Sequence, residues 1–241
     1  MTIWGKVLGG AAGFAMGGPL GAIIGTAAGH AIDRMRQPKN SADASKSIAF
    51  TIAVIVLSAK LAKADGVVTR DEIEAFREVF RVPDDELQHV SRVFDQARRD
   101  SQGFEPYASQ IASMFRDNPA VLEELLFCLA HVAKADGVMH PAEIEYLRAV
   151  SKIFALDDSA FERVTEIELG PEKADAHTIL GVSREISNDD LRTAYRTLVR
   201  ENHPDLLIAQ GMPQEFVDLA NEKLSAINVA YDRVCSERGL S

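Results

Sequence analysis

The first pattern along the chain is an interruption of charge. Residues 7–32 contain no Asp, Glu, Lys or Arg, a run of 26 positions. As a helix that run would be about 39 Å long, enough to cross a hydrocarbon core of roughly 30 Å with tilt. Residues 36–46 (RQPKNSADASK) are polar with one proline and read as a linker. The next apolar run, 48–57, is broken only by Thr51 and is too short to span, which predicts a buried core helix. Helical periodicity continues to about residue 168, without a convincing alternating stretch. A second boundary falls at Leu169-Gly170-Pro171. Beyond it the pattern predicts a short helix over 176–180 stopped by Gly181, a longer helix capped by Asn188, and a final helix near 214–234. Leu191, Tyr195 and Leu198 share one face of the middle helix, and Phe216, Ala220, Leu224, Ile227 and Tyr231 of the last helix would pack on it. The expected fold class is all-α. The expected division is an anchor over 1–35, a linker over 36–46, a helical domain over 47–168 and a second domain over 171–241.

Glycine refines the reading of the apolar head. Gly5, Gly9, Gly13, Gly17, Gly21, Gly25 and Gly29 recur every four residues. On a helix this spacing leaves a groove without side chains, where a second backbone can approach closely. Gly9, Gly13, Gly17, Gly21 and Gly25 are therefore candidates for self-association, with a homodimer expected. Pro19 interrupts the segment near its middle, and a glycine-rich hairpin bent at Gly18-Pro19 is the alternative to a single glycine-zipper helix. Arg34, Arg36 and Lys39 follow the run and outnumber Lys6 before it, so the positive-inside rule puts the bulk of the chain in the cytoplasm, with residues 7–32 in the inner membrane. A soluble cytoplasmic chain is the alternative.

Charge is unevenly spread. Residues 1–46 carry five Lys/Arg against two Asp/Glu, residues 47–170 carry 13 against 22, and residues 171–241 carry eight against 12. The net charge of -10 argues against nucleic acid as a partner, since that needs a positive surface. Two cysteines, Cys128 and Cys235, exclude a disulfide scaffold and a CxxC metal module.

The helical middle contains an internal repeat. Ala62-Lys63-Ala64-Asp65-Gly66-Val67 returns as Ala133-Lys134-Ala135-Asp136-Gly137-Val138, and Glu72-Ile73-Glu74 as Glu143-Ile144-Glu145. Each copy predicts helix, glycine turn, helix, the second helix starting at the capping box Thr69-x-x-Glu72 or at His140-Pro141. Read as a calcium loop, the first copy would need ligands at Leu61 and Lys63, so an EF-hand is rejected. Asp65, Glu72, Asp136 and Glu143 could converge on a metal only if the two turns face each other; otherwise they are caps and solvated acids. The two KADG-V…EIE motifs resemble the TerB-like family of tellurite-resistance proteins, which implies an all-helical domain with a role in metal or stress response.

The last 70 residues carry the candidate chemistry. The amphipathic helix from 188 bears Arg192, Arg196 and Arg200 at spacings of four and runs into His203-Pro204-Asp205, a proline-stiffened loop. His203 has no Ser or Cys nucleophile nearby in sequence and no second His or Cys at ligand spacing, so neither a general base nor a zinc ligand is expected. Leu180-Gly181-Val182, Ala194-Tyr195-Arg196-x-Leu198, His203-Pro204-Asp205 and Ile227-Asn228-x-Ala230-Tyr231 together resemble a J domain. That resemblance implies a co-chaperone that binds a DnaK-type ATPase and stimulates its ATP hydrolysis. His203, Pro204 and Asp205 would make the essential contact, and Arg192, Arg196 and Arg200 would meet an acidic surface. His177 stands where the family usually has Tyr, Leu206 where Lys is common, and the loop from Leu206 to Pro213 is long. Anchor, TerB-like domain and terminal J domain follow the order of the membrane-anchored DnaJ-like co-chaperones of the DjlA type. No P-loop, GxSxG or dinucleotide fingerprint is present, so neither enzyme activity nor a cofactor is expected. The second functional reading is a TerB-type metal- or stress-response protein with an auxiliary J domain.

Overall fold

A computed structural model describes residues 18–28, 42–63, 76–77, 82, 87–135 and 137–240. Its elements are α1 (Gly18–Ala28), α2 (Ala42–Leu61), α3 (Leu87–Arg99), α4 (Glu105–Met114), α5 (Pro119–Ala133), α6 (Pro141–Ile153), α7 (Asp158–Glu168), α8 (Ala176–Leu180), α9 (Asn188–Glu201), α10 (Asp205–Ala209) and α11 (Gln214–Glu237). Among the described residues there is no strand, and the fold is all-α as the periodicity predicts.

The 48–57 run explains the middle of the molecule. It lies in α2, and every residue from 49 to 62 is buried, Thr51 included. A helix apolar on all sides must be wrapped, and α2 packs against α1, α3, α4 and α5. Its end is tied by Tyr146, whose hydroxyl donates to the Leu57 carbonyl at 2.9 Å. Lys60 is buried on α2, and its Nζ donates to Asp100 Oδ2 at 3.1 Å and to the Gln102 carbonyl at 2.6 Å. Glu143 is 2% exposed and accepts the His140 backbone N–H at 2.7 Å, so it caps α6.

Within the apolar head, Gly18 at the start of α1 has a φ of +65° and Pro19 follows it in the first turn of the helix. Leu20 and Ile23 of α1 lie in the core of the middle domain, and the Leu20 N–H donates to Gln110 Oε1 at 3.0 Å. No helix among the described residues is long and apolar enough to cross a membrane. Gly21 is buried in α1; Gly9, Gly13 and Gly17 lie outside the described residues.

The C-terminal module holds a second core of Ala174, Ala176, Ile179, Leu180, Leu191, Leu198, Ile227, Ala230 and Val234. Gly181 stops α8 in the left-handed region at φ 64°, and the Val182 N–H donates back to the His177 carbonyl at 3.0 Å. The cap of α9 is Ser187, one residue before the Asn188 expected from sequence. Ser187 is extended and its Oγ accepts the Asp190 N–H at 3.1 Å, while Asn188 Oδ1 accepts from Arg238 at 3.1 Å.

Two further expectations change. The stretch after the tripeptide is not one long loop: α10 forms at Asp205, helped by an acid in its first turn and by burial of Leu207. And α11, about 36 Å long by its residue count, serves both cores. Ile227, Ala230 and Val234 belong to the second core, but Phe216, Val217, Leu219 and Ala220 belong to the core of the middle domain. Phe216 meets Phe50 edge-on with ring centroids 4.6 Å apart.

Candidate partner-binding site

The site is built at the far end of the α9–α11 hairpin. Tyr195 and Tyr231 stack across it at 3.9 Å, and the Tyr195 hydroxyl donates to Asn228 Oδ1 at 2.9 Å. These are the residues that carried the sequence resemblance, and their contact sets the spacing of the two helices. Asn202 closes α9: its side-chain amide donates to the Leu198 carbonyl at 2.9 Å inside the structure.

The tripeptide then alternates in exposure. His203 is exposed, Pro204 is buried, and Asp205 is exposed. Pro204 has a φ of -54° and is the N-cap residue of α10, so its ring presets the turn between the two polar side chains. The Asp205 backbone N–H donates to His203 Nδ1 at 3.2 Å. An imidazole accepting at Nδ1 carries its hydrogen on Nε2, pointing that donor away from the turn. Asp205 Oδ2 lies 3.5 Å from the same Nδ1, and its carboxylate side chain is 78% exposed.

Two of the three arginines converge with the tripeptide. Tyr195, Arg196, Val199, Arg200, His203 and Asp205 line an open cleft of about 440 Å³. Arg192 lies farther back and pairs with Asp189 on its own helix at 3.3 Å. The cleft offers two guanidinium groups, an imidazole, a carboxylate and an apolar floor. Such a set suits a protein surface bearing carboxylates; nothing in it constitutes a nucleophile and base.

Among the described residues no group of three His, Cys, Asp or Glu side chains could hold an ion. Glu143 is occupied as a cap. Asp65, Glu72 and Asp136 lie outside the described residues.

Three family models match the chain in succession. Residues 1–46 match the family model for the co-chaperone DjlA transmembrane domain, residues 51–166 the model for tellurite resistance protein TerB, and residues 175–238 the model for the DnaJ domain. The chain has the module order of the DjlA co-chaperones. It is 25% identical over 275 residues to the co-chaperone protein DjlA of Photobacterium profundum, covering 98% of this chain and 99% of that one. Against DjlA of Coxiella burnetii the identity is 25%, covering 98% of each, and against DjlA of Escherichia coli K12 it is 25%, covering 99% of each. No solved structure matches. The resemblance to the DjlA co-chaperones and to a J domain thus rests on both motifs and relatives.

Sequence reasoning missed a cluster of four buried charges away from the cleft. Glu123, Glu124, Arg163 and Lys223 are buried together under the hairpin. Lys223 Nζ lies 2.9 Å from Glu124 Oε2 and 3.6 Å from Glu123 Oε1, and Arg163 Nε donates to Glu123 Oε1 at 3.1 Å. The only signal in sequence was charge at inward-facing helical positions.

Proposed function

We propose that this chain is a membrane-tethered co-chaperone that binds a DnaK-type ATPase through its J domain and stimulates ATP hydrolysis at the cytoplasmic face of the inner membrane. The carrying observation is the exposed His203 and Asp205 on either side of a buried Pro204, beside Arg196 and Arg200 in one cleft. The partner performs the chemistry; this chain supplies differential affinity for the partner state poised to hydrolyse ATP. His203, Pro204 and Asp205 make the essential contact, and Arg192, Arg196 and Arg200 orient the encounter. Residues 1–35 act as the anchor, 36–46 as linker, 47–168 as the TerB-like domain and 171–241 as the J domain. Gly9, Gly13 and Gly17 provide a self-association groove for a homodimer in the bilayer, whereas Gly21, buried in α1 against the middle domain, is not open to a second helix.

His203→Gln tests the assignment. The side chain is exposed, so helical content and melting temperature stay within experimental error of wild type. Stimulation of a purified DnaK-type ATPase falls to the unstimulated rate. Retained stimulation at full strength defeats the reading.

A further inference from the structure

The hairpin that presents the tripeptide lacks a core of its own at its working end. The second core ends at Leu198 on α9 and resumes at Ile227 on α11. Between them, Leu207, Met212, Phe216, Val217, Leu219 and Ala220 belong to the core of the middle domain. Leu207 lies two residues beyond Asp205, its N–H donates to the Pro204 carbonyl at 3.0 Å, and its own carbonyl accepts from Met212 at 3.0 Å. Where Leu207 sits therefore fixes, within one turn, where His203, Pro204 and Asp205 sit.

The far side of this segment is fastened by charge. Lys223 is 1% exposed and faces Glu123 and Glu124 of α5. Burial pulls the Lys223 pKa down, but the Glu124 and Glu123 carboxylates outweigh it and hold the ammonium charged. Glu124 keeps Oε1 without a hydrogen-bond partner, so Lys223 is its principal stabiliser. We propose that the TerB-like domain is the positioning element of the J domain: Lys223 on Glu123 and Glu124, and Phe216 on Phe50, hold the tripeptide in the geometry its partner engages. Lys223 and Phe216 are positioning residues, since neither reaches the cleft.

The proposal rests on the tripeptide being the contact for a DnaK-type ATPase, and it predicts a distinct kinetic signature. Undocking lowers the fraction of chains in the competent geometry. If that fraction falls to about a tenth, the chain concentration for half-maximal stimulation rises about tenfold, while saturating partner still selects the competent state and the ceiling is kept. A contact residue behaves differently: His203→Gln lowers the ceiling at every concentration.

The experiment titrates full-length wild type, Lys223→Met and Glu124→Leu/Lys223→Met into a purified DnaK-type ATPase, with hydrogen exchange read over residues 205–223. In wild type these amides are protected together with α5 rather than exchanging at open-loop rates. Lys223→Met loses that protection and shifts the half-maximal concentration about tenfold at an unchanged ceiling. The double variant, with both charges removed, returns to within about threefold of wild type. Open-loop exchange over 205–209 in wild type overturns the proposal without any variant, so an unstable Lys223→Met does not shelter it. Wild-type titration by Lys223→Met also overturns it, as does a lowered ceiling without a shift. A wild type that gives no stimulation overturns the functional reading itself, a separate result.

Discussion

At the scale of single residues, the buried Lys223 and the half-buried His131 give effects that can be measured. Lys223→Met leaves Glu123 and Glu124 together at a site closed to water, with Arg163 left to answer both. Removing one partner of a buried pair costs about 3–5 kcal/mol, whereas exchanging both for apolar groups is close to neutral. Urea unfolding of Lys223→Met and of Glu124→Leu/Lys223→Met is expected to show that order; equal losses would mean the pair itself contributes little. His131 gives a pH dependence. Its Nδ1 lies 3.1 Å from Glu168 Oε1, and that hydrogen bond raises its pKa against the opposing effect of partial burial and of Lys134, with the Glu168 and Glu222 charges adding to the rise. A raised pKa in the folded state means the stabilisation is complete below about pH 6.5, the unfolded value, and fades as pH climbs through the folded one. The melting temperature of wild type should therefore drop as pH rises above about 6.5, and that of His131→Gln should drop less. Parallel curves would remove His131 from the account.

At the scale of elements, the helix ends carry testable energy. Ser187→Ala deletes the side-chain acceptor for the Asp190 N–H and should cost about 1 kcal/mol. Gly181→Ala adds about 1–2 kcal/mol of left-handed strain, with its new Cβ 3.4 Å from Ser159 on α7. Both are read by denaturant midpoints at unchanged slope. These ends also show what the sequence made legible. Gly181 as a stop, the apolar face of Leu191 and Leu198, and the all-round burial of α2 follow from local pattern, because each depends on neighbours within a few residues. Ser187 was missed because two polar residues stood side by side and only the backbone, extended at Ser187, chooses between them. α10 was missed because a five-residue helix has no period of its own and owes its existence to the pocket that takes Leu207. Phe216 and Ala220 lie on the same face of α11 as Ile227 by spacing, and nothing local says that a different core claims them. The tripeptide was legible as a motif; its proposed support by the middle domain was not, since that requires Lys223 to meet Glu123 and Glu124, and Phe216 to meet Phe50, far apart in sequence.

At the scale of the whole molecule, a chain of net charge -10 is expected to meet an acidic partner through a small positive patch. The two fields differ in reach. Exposed charges are screened beyond roughly 8 Å at physiological ionic strength, so there the overall repulsion is muted and the arginines beside the cleft steer the final approach. Arg196 and Arg200 line the cleft with His203 and Asp205, whereas Arg192 is paired with Asp189. Association with a DnaK-type partner should slow as salt rises from about 0.05 to about 0.5 M, where screening lengths fall below the span of the stripe. Arg196→Glu should slow association and flatten that dependence, and Arg192→Glu should do so less, because its charge is already partly answered on its own helix. Asp205→Asn should remove stimulation yet leave the salt slope nearly as it was, since it changes the contact after encounter rather than the steering toward it. Stopped-flow association rates at several salt concentrations separate the four proteins. If wild type and Arg196→Glu share one slope, the arginines are a solvated helix face, and orientation of the partner must come from the tripeptide and the domain that positions it.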